Sequence, residues 1–249
     1  MASRLRGCIA VWICVSFSKP VAGILAALKQ PSARRVGVIK AIAFALCLLP
    51  LARLIVAGLA DWRSPELSEW LATRLTLGVN PIELITRSTG TWTLALVLIT
   101  LAVTPVRRLF GWGWIVELRR MLGLFAFSYA LIHLITYLWL DQFFDWGEIV
   151  KDIVKRPFIT VGFAAFVVLT PLALTSTDRM VHRIGSRRWL MLHRGAYAAG
   201  ILGVVHYWWL VKRDLTQPVL YAVVLGLLLA FRLLSRRHET RRRVAPSQS

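Results

Sequence analysis

Six apolar runs recur along the chain, each closed by basic or turn-forming positions: Val38–Gly58, Gly90–Val106, Met121–Leu140, Pro157–Ser176, Trp189–Val211 and Pro218–Leu234. A helix needs about 20 predominantly apolar residues to cross a bilayer, and these runs are of that order. The pattern therefore predicts an all-α polytopic membrane protein, a six-helix transmembrane bundle. A polar loop to about Ser88 separates the first two spans, and a short loop with Gly111-Trp112-Gly113-Trp114 leads toward the third. Asp141–Arg156 mixes acids and bases with Phe143, Phe144 and Trp146, the signature of an amphipathic helix lying in the interface. Pro157 opens the fourth span, where proline is favoured because the first-turn amide has no helical partner. Gly7 to Leu28 is also apolar but is broken by Lys19-Pro20. It reads as a signal-like segment, a peripheral helix or sequence upstream of the true start, and is not counted as a span. The expected division is an N-terminal extension over 1–37, the membrane domain over 38–234 and a basic tail over 235–249.

Composition agrees with this reading. Of 249 residues 57% are hydrophobic and only 17% charged, and the mean hydropathy is +0.62. A soluble domain has closer to a quarter of its residues charged. The net charge of +19 would suit a nucleic-acid binder, but its distribution is that of membrane topology. The N-terminus, the loop between spans two and three, the loop between four and five, and the tail, counted with Lys40 and Arg232 near the ends of the adjoining spans, carry 21 of the 31 lysines and arginines, against three acids, Glu117, Asp178 and Glu239. The opposite loops carry eight, against nine acids. By the positive-inside rule both termini are expected in the cytoplasm, and no nucleic-acid partner is expected. Cys8, Cys14 and Cys47 form neither a C-x-x-C pair nor an even set, so no disulfide framework or cysteine metal site is indicated.

Histidines inside the spans carry the candidate chemistry, because ionisable groups in a bilayer are costly and mark functional sites by default. Span five holds His193 and His206, separated by about 20 Å if the helix is straight. Span three holds His133, thirteen residues beyond Arg120. Spans three and five run in the same direction, so His133 and His206 lie at similar depth near the outer face. A planar macrocycle between them would be ligated on both axial sides by neutral imidazoles. Gly123, Ala196, Ala198, Ala199, Gly200 and Gly203 would let a flat cofactor approach the backbone, although helix packing calls for small residues equally. A histidine hydrogen-bonded across the bundle is the plain alternative for any one of the three. His193 faces no second histidine; at its height span three offers Arg119 and Arg120. It would hold a second haem with an unusual or absent sixth ligand, or hydrogen-bond a propionate, a flavin or a quinone. Arg53, inside span one, pairs with a propionate or snorkels to the interface. The basic inner loops suit an anionic cofactor or anionic lipid headgroups.

The stretches RRMLGLFAFSYALIHLITY (119–137), KRPFITVGF (155–163) and SRRWLMLHRGAYAAGILGVVHYWWLVKRD (186–214) resemble the MsrQ (YedZ) family, within the ferric-reductase-like transmembrane superfamily. The resemblance covers Val38 to Leu234, with His133, His193 and His206 at the family's histidine positions; residues 1–37 depart from it. It implies haem b and FMN, a place in the bacterial inner membrane, and electrons drawn from the quinone pool. It further implies delivery to a periplasmic molybdopterin-containing methionine sulfoxide reductase subunit that repairs oxidised protein methionines.

Three other functions compete with this electron conduit. A self-contained ferric reductase or NADPH oxidase needs a flavin and nicotinamide domain with a Gly-rich phosphate turn; the fifteen residues after Leu234 carry none, which leaves a separate flavin reductase as donor. A proton-coupled transporter fits poorly with spans that hold no acid and show no clear inverted repeat. A purely structural subunit leaves the histidines unexplained.

Overall fold

The computed structural model describes residues 31–63, 80–212 and 214–244. The apolar segment Gly7–Leu28 lies outside the described residues. Helix α1 (Ala33–Arg63) is followed by α2 (Pro81–Phe110), a short 3₁₀ turn at Gly113–Ile115 and α3 (Val116–Ile135), which continues as a π-helical turn over Thr136–Asp141. Then come α4 (Trp146–Lys155), α5 (Pro157–Leu174), α6 (Asp178–Ile184), α7 (Ser186–Leu192), α8 (Gly195–Leu210) and α9 (Thr216–Val244). Among the described residues there is no strand. The protein is all-α and polytopic, as its hydropathy predicts.

Among the described residues, five segments are long and apolar enough to cross a membrane: Ala33–Leu59, Pro81–Phe110, Gly113–Asp141, Pro157–Leu174 and Thr216–Ser235. The fifth predicted span differs from expectation, because it is not one helix. Its ladder switches to i→i−3 bonds at Arg194 N to Met191 O (3.1 Å) and Tyr197 N to Arg194 O (3.0 Å), which tighten the chain and separate α7 from α8. The 16 residues of α8 rise about 24 Å, short of a full hydrocarbon core, and α8 is the sixth apolar helix of the bundle. Two other boundaries move. Helix α2 starts at Pro81 rather than after Ser88, because Asn80 accepts from the Glu83 amide and Pro81 occupies the first turn. Helix α9 runs on past Leu234 to Val244, so much of the basic tail is helical.

Two helix hairpins form the centre: α2 packs along α3, and α5 along α8. Helix α2 is the hub. Leu94, Val97, Leu98 and Leu101 are buried against Leu118, Leu122, Ala126 and Tyr129 of α3, Ala199 and Val204 of α8, and Leu225 of α9. Phe127 of α3 stacks on Phe166 of α5 at 5.6 Å and ties the hairpins together. Leucines and isoleucines of α1 and α9 face outward, as lipid-facing helices require.

Polar contacts fix the helix ends and brace α1 at its proline. Pro50 interrupts α1, and beside it the buried Tyr129 hydroxyl donates to Cys47 O (2.8 Å) and accepts from Leu51 N (3.1 Å). A side chain thus enters the i→i−4 ladder where proline has already weakened it, a recognised cause of helix bending. Gly111 ends α2 with φ 72°, a left-handed conformation that costs glycine least. Lys40 pairs with Glu117, and Arg120 with Asp178. The Arg120 guanidinium holds the exposed Asp178 carboxyl below the usual carboxylate range. The interfacial helix predicted over Asp141–Arg156 is present as α4, capped by Asp145. Trp146, Val150 and Val154 form an exposed stripe along it, and Ile149 is buried.

Candidate haem site

Histidine 133 lies near the end of α3 and His206 near the end of α8, so each hairpin brings one imidazole to the same end of the bundle. Their ring centroids are 6.3 Å apart and the ring planes cross at 78°. Two imidazoles on opposite sides of one metal, each with a metal–nitrogen bond of about 2.0 Å and about 1.1–1.2 Å more to the ring centre, are separated by about 6.3 Å. The pair therefore has the spacing of two axial ligands.

Each ring is held the same way. His133 Nδ1 donates to the backbone carbonyl of Thr86 on α2 at 2.9 Å, with the Thr89 hydroxyl at 3.4 Å. His206 Nδ1 donates to the carbonyl of Phe158 on α5 at 2.6 Å. A carbonyl oxygen has no proton to give, so Nδ1 carries the hydrogen and Nε2 carries the lone pair that ligates a metal. Metal-binding histidines are commonly fixed by such a bond on the other nitrogen.

Glycine makes both bonds possible. Gly90 stands four residues after Thr86, and Gly162 four after Phe158. A helical side chain covers the surface over the turn before it, so a residue at i+4 screens the carbonyl at i. With no Cβ there, the imidazole reaches the oxygen. A Cβ on Gly90 would stand 2.9 Å from His133 Cε1, and one on Gly162 2.7 Å from His206 Nδ1. Hydropathy had singled out neither glycine; the signal was a G at i+4 and a histidine 47 or 48 positions beyond the carbonyl. The small residues it did single out serve packing: Gly200 meets Leu101 and Leu225, and Gly203 meets Leu94.

The remaining candidates lie elsewhere. His193 caps α7, its Nδ1 3.1 Å from Trp189 O and its ring stacked on Trp189 at 3.8 Å. Trp189 is itself anchored by its indole N–H to Thr175 O at 2.8 Å. His193 Nε2 is buried and makes no hydrogen bond, the same free lone pair as in the outer pair. Arg120 is exposed and engaged with Asp178, and Arg119 is half-buried close enough to His193 to act on it electrostatically. Arg53 lines a cavity of about 620 Å³ between α1 and α2, with Pro50, Trp92 and Leu96. None of the three histidines lines it.

Among the described residues no three His, Cys, Asp or Glu side chains converge. A bare ion such as zinc asks the protein for three or four ligands. Two imidazoles suffice only when the metal arrives with its other ligands, as iron does in a macrocycle, and the donor set fits haem.

The family model described as "Ferric reductase like transmembrane component" matches residues 89–204. A "Protein-methionine-sulfoxide reductase heme-binding subunit MsrQ" from Herminiimonas arsenicoxydans is 50% identical over 206 residues, covering 82% of this chain and 88% of the relative. The chain belongs to the MsrQ family. Proteins of the same name from Azospira oryzae (51% identical, 83% of each chain) and Rhodospirillum rubrum (49%, 82% of this chain and 91% of the relative) agree. The family match begins one residue before Gly90 and ends two before His206, so it spans both supporting glycines and His133.

Proposed function

We propose that this protein is a haem-holding membrane subunit that passes electrons across the bacterial inner membrane to a methionine sulfoxide reductase catalytic subunit on the periplasmic side. The observation that carries it is the His133–His206 pair: two imidazoles at axial spacing, each with Nδ1 engaged by a carbonyl. The printed names of the relatives, heme-binding subunits of a protein-methionine-sulfoxide reductase, support the same reading.

His133 and His206 would hold haem b, which supplies the one-electron redox change that no side chain of the spans offers. The Thr86 and Phe158 carbonyls fix the Nδ1–H tautomer and aim both rings, and Gly90 and Gly162 leave room for them. His193, with its bare Nε2 beside Trp189, is the residue suited to a second redox group near the cytoplasmic face, whether a haem or FMN. Arg119, close to His193, and Arg53, in the separate cavity between α1 and α2, would each meet acidic groups of a bound cofactor, while Arg120 braces the inner loop through Asp178. The basic bias of the N-terminus, the α2–α3 and α5–α8 connections and the tail supports cytoplasmic termini, with the histidine pair toward the periplasmic side. The donor is quinol from the membrane, or a soluble flavin reductase in its place. The acceptor is a molybdopterin-containing subunit, and membrane lipid surrounds the rest.

A reduced-minus-oxidised optical spectrum of purified protein, with haem and flavin quantified per chain, tests this. A low-spin b-type signal lost in His133→Ala is expected; a folded protein that takes up no haem would overturn it.

A further inference from the structure

Two constraints act on each imidazole of the outer pair. The Nδ1 bond fixes where the ring points, and contact with a glycine backbone fixes how it is rotated about that direction. Cε1 of His133 lies against Gly90, and Cγ, Nδ1 and Cε1 of His206 lie against Gly162. The result is the 78° angle between the rings. It is set separately by two helices, α2 and α5, on either side of the site.

We propose that Gly90 and Gly162, with the Thr86 and Phe158 carbonyls, are positioning residues that lock the axial imidazole planes of the bound haem near a right angle and thereby set the electronic state of the iron. The inference rests on the haem reading above. An imidazole raises the iron d orbital with which its ring π-system overlaps. Two parallel rings raise the same orbital and split the upper pair. Crossed rings raise one orbital each and leave the pair nearly degenerate. Ligand orientation and the hydrogen bonds behind the ligands are among the levers by which a protein tunes a haem. A ferric low-spin centre with crossed rings gives one strongly shifted low-field electron paramagnetic resonance line; parallel rings give a three-line rhombic spectrum.

An alanine at either glycine puts its Cβ well inside the 3.4 Å at which ordinary contact begins, so the ring must turn or retreat. The test is the low-temperature resonance spectrum of the full-length ferric holoprotein, recorded in parallel in the His193→Ala variant to remove any inner-site signal. The single low-field line is expected. In Gly90→Ala and Gly162→Ala, with haem content and helical circular dichroism retained, it is expected to shift toward the rhombic form. A rhombic spectrum from the outer site, one that persists in the His193→Ala protein, overturns the proposal without reference to the glycine variants. An unchanged line in both haem-loaded alanine variants overturns the role of the glycines. Absence of haem from the unmutated protein sinks the underlying reading instead, and optical spectra of the same samples separate that failure from the others.

Discussion

Gly90 and His133 are joined by what the glycine lacks: a Cβ there would stand 2.9 Å from Cε1 of the imidazole, where no real contact exists. Gly162 and His206 repeat the relationship at 2.7 Å. Sequence-distant helices therefore meet through a ring edge on a bare turn of backbone, and the carbonyl under that turn orients the ring. This arrangement suits the outer histidines to the ligand role proposed for them.

Removing either ligand should remove the bis-imidazole centre. His133→Ala and His206→Ala are each expected to abolish the low-spin b-type absorbance, whereas His193→Ala gives a partial defect because it lies outside the pair. Haem per chain after purification, with optical spectra, checks this. Full haem retention in both outer variants would sink the ligand assignment.

Larger substitutions at the glycines should cost stability. Gly162→Val overpacks a site already closed by His206, at about 1–3 kcal/mol. Gly226→Ala on α9 meets nothing within 4 Å and is expected to change stability by less than about 1 kcal/mol. Thermal midpoints of the two variants in the same detergent compare them, and equal midpoints would refute the cradle.

Tyr129 and Pro50 should be coupled. Tyr129→Phe strands the Leu51 amide beside Pro50, with an expected loss of about 1–3 kcal/mol. In a Pro50→Ala background the ladder can close by itself, so the loss should shrink. A double-mutant cycle on unfolding free energies would show an interaction of about 0.5–3 kcal/mol; additivity would remove the bridge from the account.

The Arg120–Asp178 pair should matter at neutral pH and cease to matter in acid. Its carboxyl is held below the usual range, so the pairing contributes above about pH 3.9, the ordinary aspartate value, and is lost as pH falls through the lowered one. The difference in thermal midpoint between Asp178→Asn and the unmutated protein should be flat from pH 5 to 8. It should disappear on acidification, and a slope near neutrality would contradict the assignment.

Hydropathy was enough to locate the apolar helices of the described residues, since a span is set by the length of its apolar run. The pairing of His133 with His206 was also legible, because two spans running the same way place equal offsets at equal depth. The break at His193-Arg194 was not, since apolar residues continue on both sides and the tightened ladder leaves no compositional mark. The start of α2 was masked by Glu83, Thr86, Arg87 and Ser88, which read as loop although Asn80-Pro81 was a capping signal. Least legible were the Thr86 and Phe158 carbonyls. Every residue has one, and only the fold reveals which is uncovered.

The division of the ligands between hairpins has a consequence for biosynthesis. The α2–α3 hairpin, with His133 and its support, leaves the ribosome some seventy residues before His206 does. Neither hairpin alone offers two axial ligands. Haem capture must then wait until α8 has been inserted beside α5, which makes cofactor loading one of the last events in assembly. A chain truncated before α8 would be spanning but colourless, and the bound iron would act as a clasp between halves made at different times, favouring the completed bundle over its parts by mass action.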